Sequence, residues 1–285
     1  MAGTGTIGVV GAGTMGAGIA HVFARAGFEV VLCDVETRFL VRAVSTIRTN
    51  LGREAAKGKI AEKEIEPAIA HIHTTTERAE LAGAGLVVEA APERLELKAE
   101  IFKALDELLG KDTILASNTS SISITKLGAL TKRPERVVGM HFFNPVPVMA
   151  LVEVVRGLET SDATVAEVMA LATKLGKTPV AVRDAPGFVS NRVLLPLINE
   201  AAYAVMEGVA EPEAVDQVLK LGMAHPMGPL ALADLIGLDV CVDILRVLQE
   251  GFGDPKYRPC PLLVRMVDAG RLGRKAGRGF FRYEK

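Results

Sequence analysis

The chain alternates short apolar runs with amphipathic stretches over its first two thirds. Seven runs have the length and β-branched content of strands, namely TIGVVG, EVVLCD, LVVEAA, TILASN, VVGMHFF, LVEVV and TPVAV. Between many of them apolar residues recur at spacings of three and four, for example over Thr14 to Ala26 and Arg94 to Leu109, which predicts helices. This alternation is typical of a mostly parallel sheet covered by helices on both faces, so we predict an α/β fold.

Two departures from this rhythm predict the domain organisation. After the second strand, helical spacing runs from Arg38 to about Ala70, which is room for two helices and predicts a projecting helical hairpin. Beyond Pro186–Gly187 strand-like runs nearly vanish until the last few residues, and the helical spacing dominates. We therefore predict an α/β domain over residues 1–185 and an all-helical domain over residues 186–285.

Composition argues against several classes of function. The 285 residues carry 33 Lys and Arg against 34 Asp and Glu, and a net charge of −1 gives no general attraction to nucleic acid or to an anionic membrane. The three cysteines form no CxxC pair, which indicates neither a zinc site nor a disulfide framework and fits a reducing compartment. The chain has no apolar run of the roughly 18 residues that a membrane helix needs, and its apolar start lacks the basic residues of a signal peptide. We expect a cytoplasmic protein with no metal site.

The first strand runs into a glycine-rich turn with the spacing GxGxxG. Gly11 permits the tight turn, Gly13 lets the backbone approach a pyrophosphate, and Gly16 lets the next helix pack close to the strand. The helix N-terminus favours the negative charge of the pyrophosphate. Asp34 ends the second strand 21 residues after Gly13, about where a dinucleotide fingerprint has its acid. The predicted cofactor-binding residues of this turn are Gly11, Gly13, Thr14, Met15 and Gly16.

Asp34 indicates which dinucleotide binds. A carboxylate at this position accepts hydrogen bonds from the adenosine ribose and would repel a 2′-phosphate, so we predict NAD. Arg38, four residues further on, keeps NADP as the less favoured choice. A glycine-rich turn followed by a loop aspartate, without any ligand, is the structural alternative.

The long helical segment is basic. From Arg38 to Lys59 the chain holds six Arg and Lys residues and a single acid, Glu54, so the window carries a net charge of +5. This charge suits a second ligand that bears phosphate groups and binds beside the nucleotide. A solvated helix face explains it equally well, because Arg and Lys usually face solvent.

Two further polar stretches stand where a ligand could bind. ASNTSSIS places Asn118 and a group of serine and threonine residues that includes Ser120 at the carboxyl end of a predicted strand. This is the edge where open α/β sheets bind ligands. PGFVSNR places Asn191 near the start of the first helix of the second domain. Helix-capping serines and a hinge amide are the structural alternatives.

The stretch HFFNPVPVMALVEV holds a histidine and a glutamate twelve residues apart. Prolines fix φ and lack an amide donor, so Pro145 and Pro147 should end one strand and reverse the chain. A reversal about Pro147 pairs His141 with Glu153 on one face of an antiparallel hairpin. A carboxylate beside an imidazole fixes its tautomer and favours its charged form, which describes a general base with an orienting partner. A purely structural pair is the alternative.

The chain resembles the L-3-hydroxyacyl-CoA dehydrogenase family, and within it the short bacterial 3-hydroxybutyryl-CoA dehydrogenases, over essentially its whole length. The stretches that carry the resemblance are GVVGAGTMGAGIA, VVEAAPE, SNTSSISI, HFFNPVPVMALVEVV, PGFVSNRVL and GRKAGRGFFRYEK. The resemblance implies a Rossmann-like domain followed by a helical domain that forms a homodimer. It also implies reversible, NAD-dependent oxidation of (3S)-3-hydroxyacyl-CoA to 3-oxoacyl-CoA.

The resemblance assigns roles to particular positions. The implied catalytic residues are His141, as the base, its partner Glu153, and Ser120 and Asn191. The implied cofactor contacts outside the glycine-rich turn are Asp34, Glu93, Lys98, Ser120, Asn144 and Lys275. The implied contacts to the acyl-CoA substrate are Ser120, Asn191, Asn50 and Lys57. The family usually has serine where Asn50 stands and asparagine where Arg94 stands, so this chain departs from the pattern at both positions.

Two other functions stay open on the sequence alone. A dehydrogenase of a sugar acid on the same architecture would not need the basic segment, because its substrate carries no CoA. A non-catalytic NAD-binding protein would not need the pair of His141 and Glu153.

Overall fold

The strands and helices of the N-terminal part build one sheet in the computed structural model, which describes residues 5–284 of the chain. The strands are β1 (Thr6–Val10), β2 (Glu29–Cys33), β3 (Ile72–Thr75), β4 (Leu86–Glu89), β5 (Ile114–Ser117), β6 (Val137–Phe142), β7 (Leu151–Arg156) and β8 (Thr178–Arg183). Their order across the sheet is β3-β2-β1-β4-β5-β6-β7-β8. All neighbours pair in parallel except β6 and β7, which are antiparallel. The predicted α/β, Rossmann-like fold is confirmed.

The strand order reverses direction between β1 and β4, which is the point where open α/β sheets form a ligand crevice. The segments that follow β1, β4 and β5 all leave the sheet at its carboxyl edge. They are the glycine-rich turn, the stretch around Glu93 and the hydroxyl-rich stretch around Ser120. Three of the polar stretches identified in the sequence therefore lie at the same edge of the sheet, because they follow neighbouring parallel strands.

Eleven α-helices lie in the described part of the chain. They are α1 (Thr14–Arg25), α2 (Thr37–Ala56), α3 (Ile65–Ala70), α4 (Leu95–Leu108), α5 (Ile124–Gly128), α6 (Asp162–Lys174), α7 (Ser190–Met206), α8 (Pro212–Gly222), α9 (Pro229–Ile236), α10 (Leu238–Phe252) and α11 (Pro261–Asp268). The described residues contain no helix with the length and apolarity to cross a membrane.

The long helical segment differs in part from its prediction. It forms the twenty-residue helix α2 and the short helix α3, which contact each other as a hairpin would. However, α2 does not simply project, because its apolar stripe of Leu40, Ala43, Ile47 and Leu51 is buried in the core that also holds α1. The segment then returns to the sheet through the edge strand β3, so it is the crossover between β2 and β3.

Contacts between Cα atoms divide the chain into two compact units, Met1–Asp184 and Ala185–Lys285. The second unit is helical, and its own core contains fully buried residues of α7, α9, α10 and α11, such as Leu195, Leu230, Leu245 and Leu263. The apolar stretch LADLIGLDVCVDILRVLQEGF is divided into α9 and α10 at Gly237, whose φ of +108° is one that glycine adopts readily.

Candidate active site

The glycine-rich turn after β1 has the geometry of a pyrophosphate cradle. Gly11 has a φ of +99°, and a Cβ there would lie 2.7 Å from the carbonyl oxygen of Ala90 at the end of β4. A Cβ on Gly16 would lie 1.7 Å from the carbonyl oxygen of Gly11, so α1 can approach the turn only because position 16 is glycine. At Gly13, by contrast, a Cβ would meet nothing within 4 Å. The turn is therefore tight on its inner side and open above Gly13, at the N-terminus of α1, which fits a bound dinucleotide.

Asp34 also holds the turn in place. One carboxylate oxygen, Oδ2, accepts a 2.6 Å hydrogen bond from the backbone N–H of Ala12. Arg38 forms a two-point ion pair with Glu36, in which Nε lies 2.7 Å from Oε2 and Nη2 donates to Oε1 at 2.9 Å. Arg38, the residue that kept NADP as the less favoured cofactor, is thus paired with the carboxylate of Glu36 within the first unit.

A cavity of about 240 Å³ opens beside the turn within the first unit. Its wall is formed by Gly13 and Thr14 of the turn, by α2 and by the loop between β6 and β7. Both Asn144 of that loop and Asn50 of α2 line it, so two residues implied by the resemblance share one cavity with the pyrophosphate cradle. Lys57 lies at the exposed end of α2, outside the lining of the cavity.

Glu93, after β4, organises the hydroxyl-rich stretch after β5. Its Oε1 atom accepts hydrogen bonds from the Thr119 hydroxyl at 2.6 Å, from the Ser120 amide at 2.9 Å and from the Ser121 amide at 3.0 Å. The hydroxyls of Ser120 and Ser121 point at the same oxygen from 3.2 and 2.9 Å. Partial burial opposes ionisation, but the charge of Lys98 and these hydrogen bonds outweigh it and lower the pKa of Glu93. Ser120 is therefore held by an ionised carboxylate.

Lys98 lies beneath this loop in a buried network. Its side chain is 1% exposed, and Nζ donates to Glu89 Oε1 at 2.7 Å and to the Ala91 carbonyl at 3.0 Å. The same Nζ lies 3.5 Å from Glu93 Oε2. Glu89, at the end of β4, also accepts a 2.6 Å hydrogen bond from the Ser117 hydroxyl at the end of β5. The structure thus places Lys98 against two glutamates and the protein backbone.

The hairpin of β6 and β7 brings His141 and Glu153 together. The two residues are directly opposite each other in the antiparallel ladder, which confirms the predicted register. His141 Nδ1 lies 2.8 Å from Glu153 Oε2, and both residues are buried, at 7% and 2% exposed. With Glu153 ionised, its carboxylate only accepts hydrogen bonds, and Nδ1 then carries the proton between them. The Phe143 ring packs on the imidazole with centroids 4.6 Å apart.

β5 and β6 are also joined by a side chain at their carboxyl ends. Asn118 Oδ1 accepts a 2.9 Å hydrogen bond from the backbone N–H of Phe142. Since Phe142 follows His141 and Asn118 precedes the loop on Glu93, this bond connects the hairpin to the hydroxyl-rich stretch. The described residues contain no cluster of His, Cys, Asp and Glu that could hold a metal ion.

The two remaining implied residues belong to the second unit. Asn191 is the second residue of α7. Lys275 follows α11 and its Nζ donates a 2.6 Å hydrogen bond to Asp239 Oδ2. Burial alone would raise the pKa of Asp239, but the hydrogen bond and charge of Lys275, together with backbone hydrogen bonds, outweigh it and lower the pKa.

Sequence reasoning missed the supporting residues of the site. Glu89 ends a buried strand, and an isolated polar residue at the carboxyl end of an apolar run was the available signal; Ser117 lay within the predicted hydroxyl-rich stretch, but its bond to Glu89 was not predicted. Lys177 and the buried His21 lie outside every motif, so no local pattern drew attention to them.

Two family models account for nearly the whole chain. The model described as "3-hydroxyacyl-CoA dehydrogenase, NAD binding domain" matches residues 6–185, and "3-hydroxyacyl-CoA dehydrogenase, C-terminal domain" matches residues 187–283. The chain belongs to the 3-hydroxyacyl-CoA dehydrogenase family. The cradle after β1 is accordingly part of an NAD-binding domain.

Relatives within the family are similar from end to end. The chain is 57% identical over 277 residues to the probable 3-hydroxybutyryl-CoA dehydrogenase of Bacillus subtilis, covering 97% of this chain and 96% of that protein. It is 52% identical to the 3-hydroxybutyryl-CoA dehydrogenase of Bradyrhizobium diazoefficiens, covering 97% of this chain and 94% of that protein. The crystal structure of (S)-3-hydroxybutyryl-CoA dehydrogenase from Ralstonia eutropha matches with a TM-score of 0.97 and 51% identity over 99% of this chain and 100% of that one.

Proposed function

We propose that the protein is an NAD-dependent dehydrogenase that reversibly oxidises (3S)-3-hydroxyacyl-CoA to 3-oxoacyl-CoA, and that its substrate is the one named for its relatives, 3-hydroxybutyryl-CoA. The observation that carries the proposal is the buried pair of His141 and Glu153, held 2.8 Å apart at the sheet edge that also carries the dinucleotide cradle. The named activities of the family members fit this site.

His141 is the general base. Its Nδ1 carries the hydrogen bond to Glu153, so we assign the uptake of the 3-hydroxyl proton to Nε2. The nicotinamide of bound NAD supplies the acceptor for the hydride that leaves C3. Glu153 fixes the tautomer and stabilises the imidazolium that forms when the proton arrives. In the reverse direction His141 returns this proton as an acid.

Ser120 and Asn191 position the substrate in this proposal. Glu93 supports the first of these roles, because it fixes both the amide and the hydroxyl of Ser120. Such positioning is a large part of catalysis, since reacting groups must lie within about 3–3.5 Å of each other and in line. The roles of Asn191 and Lys275 rest on the family resemblance alone.

The site favours NAD over NADP. We base this on Asp34, whose negative charge would repel a 2′-phosphate bound at the ribose, and on Glu36, a second acid two residues further along the chain. The ion pair with Glu36 also occupies Arg38, the nearest candidate partner for that phosphate.

The basic segment supports binding of CoA phosphates, although less strongly than its sequence suggested. Arg48 contacts Glu66 and Arg38 contacts Glu36, and both acids lie outside the window that was counted. Glu54, the one acid inside the window, contacts Arg25 of α1. Lys57 at the exposed end of α2 remains the residue that we propose for the CoA phosphates, with Asn50 about two turns earlier on the same side of the helix.

We also propose a cytoplasmic homodimer that forms through the second unit. Helices α7 and α8 and the residue after α8 expose large apolar side chains there, with Val193, Val218, Leu221 and Met223 between 61% and 78% exposed. Sedimentation of the purified protein would measure the assembly, and charged substitutions at Leu221 and Val218 should yield monomers.

An NADH-oxidation assay tests the proposed activity. We expect rapid oxidation of NADH with acetoacetyl-CoA, slower oxidation of NADPH, and little activity with free acetoacetate. A series of 3-oxoacyl-CoA chain lengths would give the acyl preference. Activity with free acids equal to that with thioesters would favour the sugar-acid alternative, and no activity with any thioester would favour a non-catalytic NAD-binding protein.

A further inference from the structure

A buried lysine, Lys177, donates hydrogen bonds to the loop between β6 and β7, the two strands that carry His141 and Glu153. Lys177 stands immediately before β8, which pairs with β7 in parallel, so its side chain starts at the same end of the sheet as the β6–β7 loop. Its Nζ donates hydrogen bonds to the carbonyl oxygens of Val146 at 2.5 Å and Met149 at 2.7 Å. Lys177 is only 7% exposed.

The sequence of the loop explains why it needs an outside donor. Pro145 and Pro147 have no N–H, so the loop has fewer donors than carbonyl groups. The amides of Val148 and Met149 both donate to the Pro145 carbonyl, at 2.9 and 3.0 Å. Buried carbonyl groups without a donor cost free energy, and one ammonium group can satisfy two of them.

A lysine is a costly choice for this position. Among the described residues no carboxylate oxygen lies within 4.0 Å of its Nζ, so carbonyl dipoles are its direct partners. Burial lowers the pKa of Lys177, the charges of Arg25 and Lys59 lower it further, and Glu54 acts in the opposite direction. An apolar residue of the same length would avoid the cost of the buried charge, but it would leave the carbonyls of Val146 and Met149 without this donor, so the ammonium has a specific role in holding the loop.

The opposite side of the loop is fixed by packing against the dinucleotide helix. Val146 is buried, and a Cβ added to Gly18 of α1 would lie 2.8 Å from the Cβ of Val146. The loop is therefore held between α1 on one side and Lys177 on the other. It carries Asn144 and joins the strand of His141 to the strand of Glu153.

From this geometry we infer that Lys177 is a positioning residue for catalysis, which clamps the β6–β7 loop so that Asn144 and the His141–Glu153 pair keep their places beside the NAD cradle. The inference rests on the proposed function of His141. A loop released from Lys177 keeps the strands paired but shifts their ends relative to α1. Misplacement by about 1 Å can cost about 10²-fold in rate, so the loss should appear in the chemical step.

Lys177→Met tests the clamp, because methionine keeps the length of the chain and removes the donors. We expect the single-turnover rate of NADH oxidation by acetoacetyl-CoA to fall about 10–100-fold, with the KM for acetoacetyl-CoA changed much less. The matched control is Lys174→Met, an exposed lysine at the end of α6, which should leave both unchanged. For Lys177→Ala, addition of n-propylamine should restore part of the rate in a saturable way, because the amine replaces the missing ammonium group.

Gly18→Ala tests the same clamp from the other side and remains informative if both Lys177 variants fail to fold. The added methyl group must displace Val146, so the same selective loss of single-turnover rate is expected. Gly52→Ala in α2, where a Cβ meets nothing within 4 Å, is its control. A folded Lys177→Met with the full rate would overturn the inference, as would a Gly18→Ala variant with the full rate. A wild-type protein that binds NADH but shows no acetoacetyl-CoA activity would instead refute the proposed function.

Discussion

Glu153 and Glu93 both hold a residue of the proposed active site, but the fold assembles their contacts in different ways. Glu153 meets His141 across one antiparallel ladder, only twelve residues away along the chain. Glu93 collects its donors from residues 119–121, which follow another strand 26 to 28 residues later. The first contact is fixed by local strand register, and the second by the way parallel strands end at a common edge.

This difference decides what each part of the site can tolerate. Ladder hydrogen bonds hold the hairpin whether or not its side chains interact, so His141 can be replaced without loss of the local fold. The loop after β5 has no such ladder. It is held instead by hydrogen bonds to the carboxylate of Glu93. We therefore expect substitutions of His141 to affect chemistry alone, and substitutions at Glu93 to affect chemistry and cofactor binding together.

The largest effect should follow from His141→Gln. Glutamine retains polar atoms near Glu153 but cannot take up the substrate proton at neutral pH, so turnover should fall about 10²–10⁴-fold. Binding of NADH, followed by its fluorescence, should stay near the wild-type value because the hairpin remains paired. Turnover close to that of the wild type would remove His141 from the mechanism.

Glu54 extends the comparison to a carboxylate whose partners are far away in sequence. Arg25 Nη1 donates to it at 2.9 Å, and His21 Nε2 lies 3.6 Å away, beyond a normal hydrogen bond. Burial opposes ionisation, but these two residues lower the pKa of Glu54 from 4.5 to about 2. A lowered carboxyl pKa stabilises the folded state above pH 4.5, and this stabilisation is lost as the pH falls towards 2.

The lowered pKa of Glu54 contributes on the order of 1–3 kcal/mol to the folding free energy at neutral pH, with Arg25 as the partner at hydrogen-bond distance. Glu54→Gln should lose most of this at pH 7 and should show a flatter decline of stability between pH 4.5 and 2. Urea unfolding over a pH series measures both quantities. Glu62→Gln, at an exposed acid near the start of α3, is the control and should follow the wild type. Identical pH profiles for the wild type and Glu54→Gln would contradict the contact with Arg25.

The same distinction explains what the sequence could predict. The fingerprint of Gly11 and Asp34, the helix after it and the pairing of His141 with Glu153 depend on residues close in sequence or on a known motif. The edge strand β3 was missed because its sequence IHTT has one apolar residue and two exposed positions, so it lacks the pattern of a buried strand. The contact of Glu54 with Arg25 and the hydrogen bonds of Lys177 to the β6–β7 loop both join segments that are distant in sequence. No local sequence pattern encodes such contacts.

Glu93→Gln tests the loop side of the comparison. Glutamine can still accept a hydrogen bond, but it carries no charge to attract the donors of residues 119–121 or to interact with Lys98. We expect kcat/KM for NADH to fall about 10–100-fold, with weaker NADH binding as part of the loss. Glu107→Gln, an exposed acid on α4, should leave the kinetics unchanged. Unaltered NADH binding in Glu93→Gln would show that the loop does not depend on this carboxylate.

The smallest effect is expected at Glu36, a local contact that is exposed rather than buried. Its ion pair with Arg38 joins side chains that are 45% and 72% exposed, so it contributes at most about 1 kcal/mol. Glu36→Gln should release Arg38 towards a 2′-phosphate and raise kcat/KM for NADPH by up to about fivefold, while Asp34 keeps NADH the better cofactor. The rise should shrink at high salt, since exposed charges are screened. In the double variant Glu36→Gln/Arg38→Gln the gain should disappear, and a gain that persists there would show that loss of the negative charge, and not release of Arg38, changes the preference.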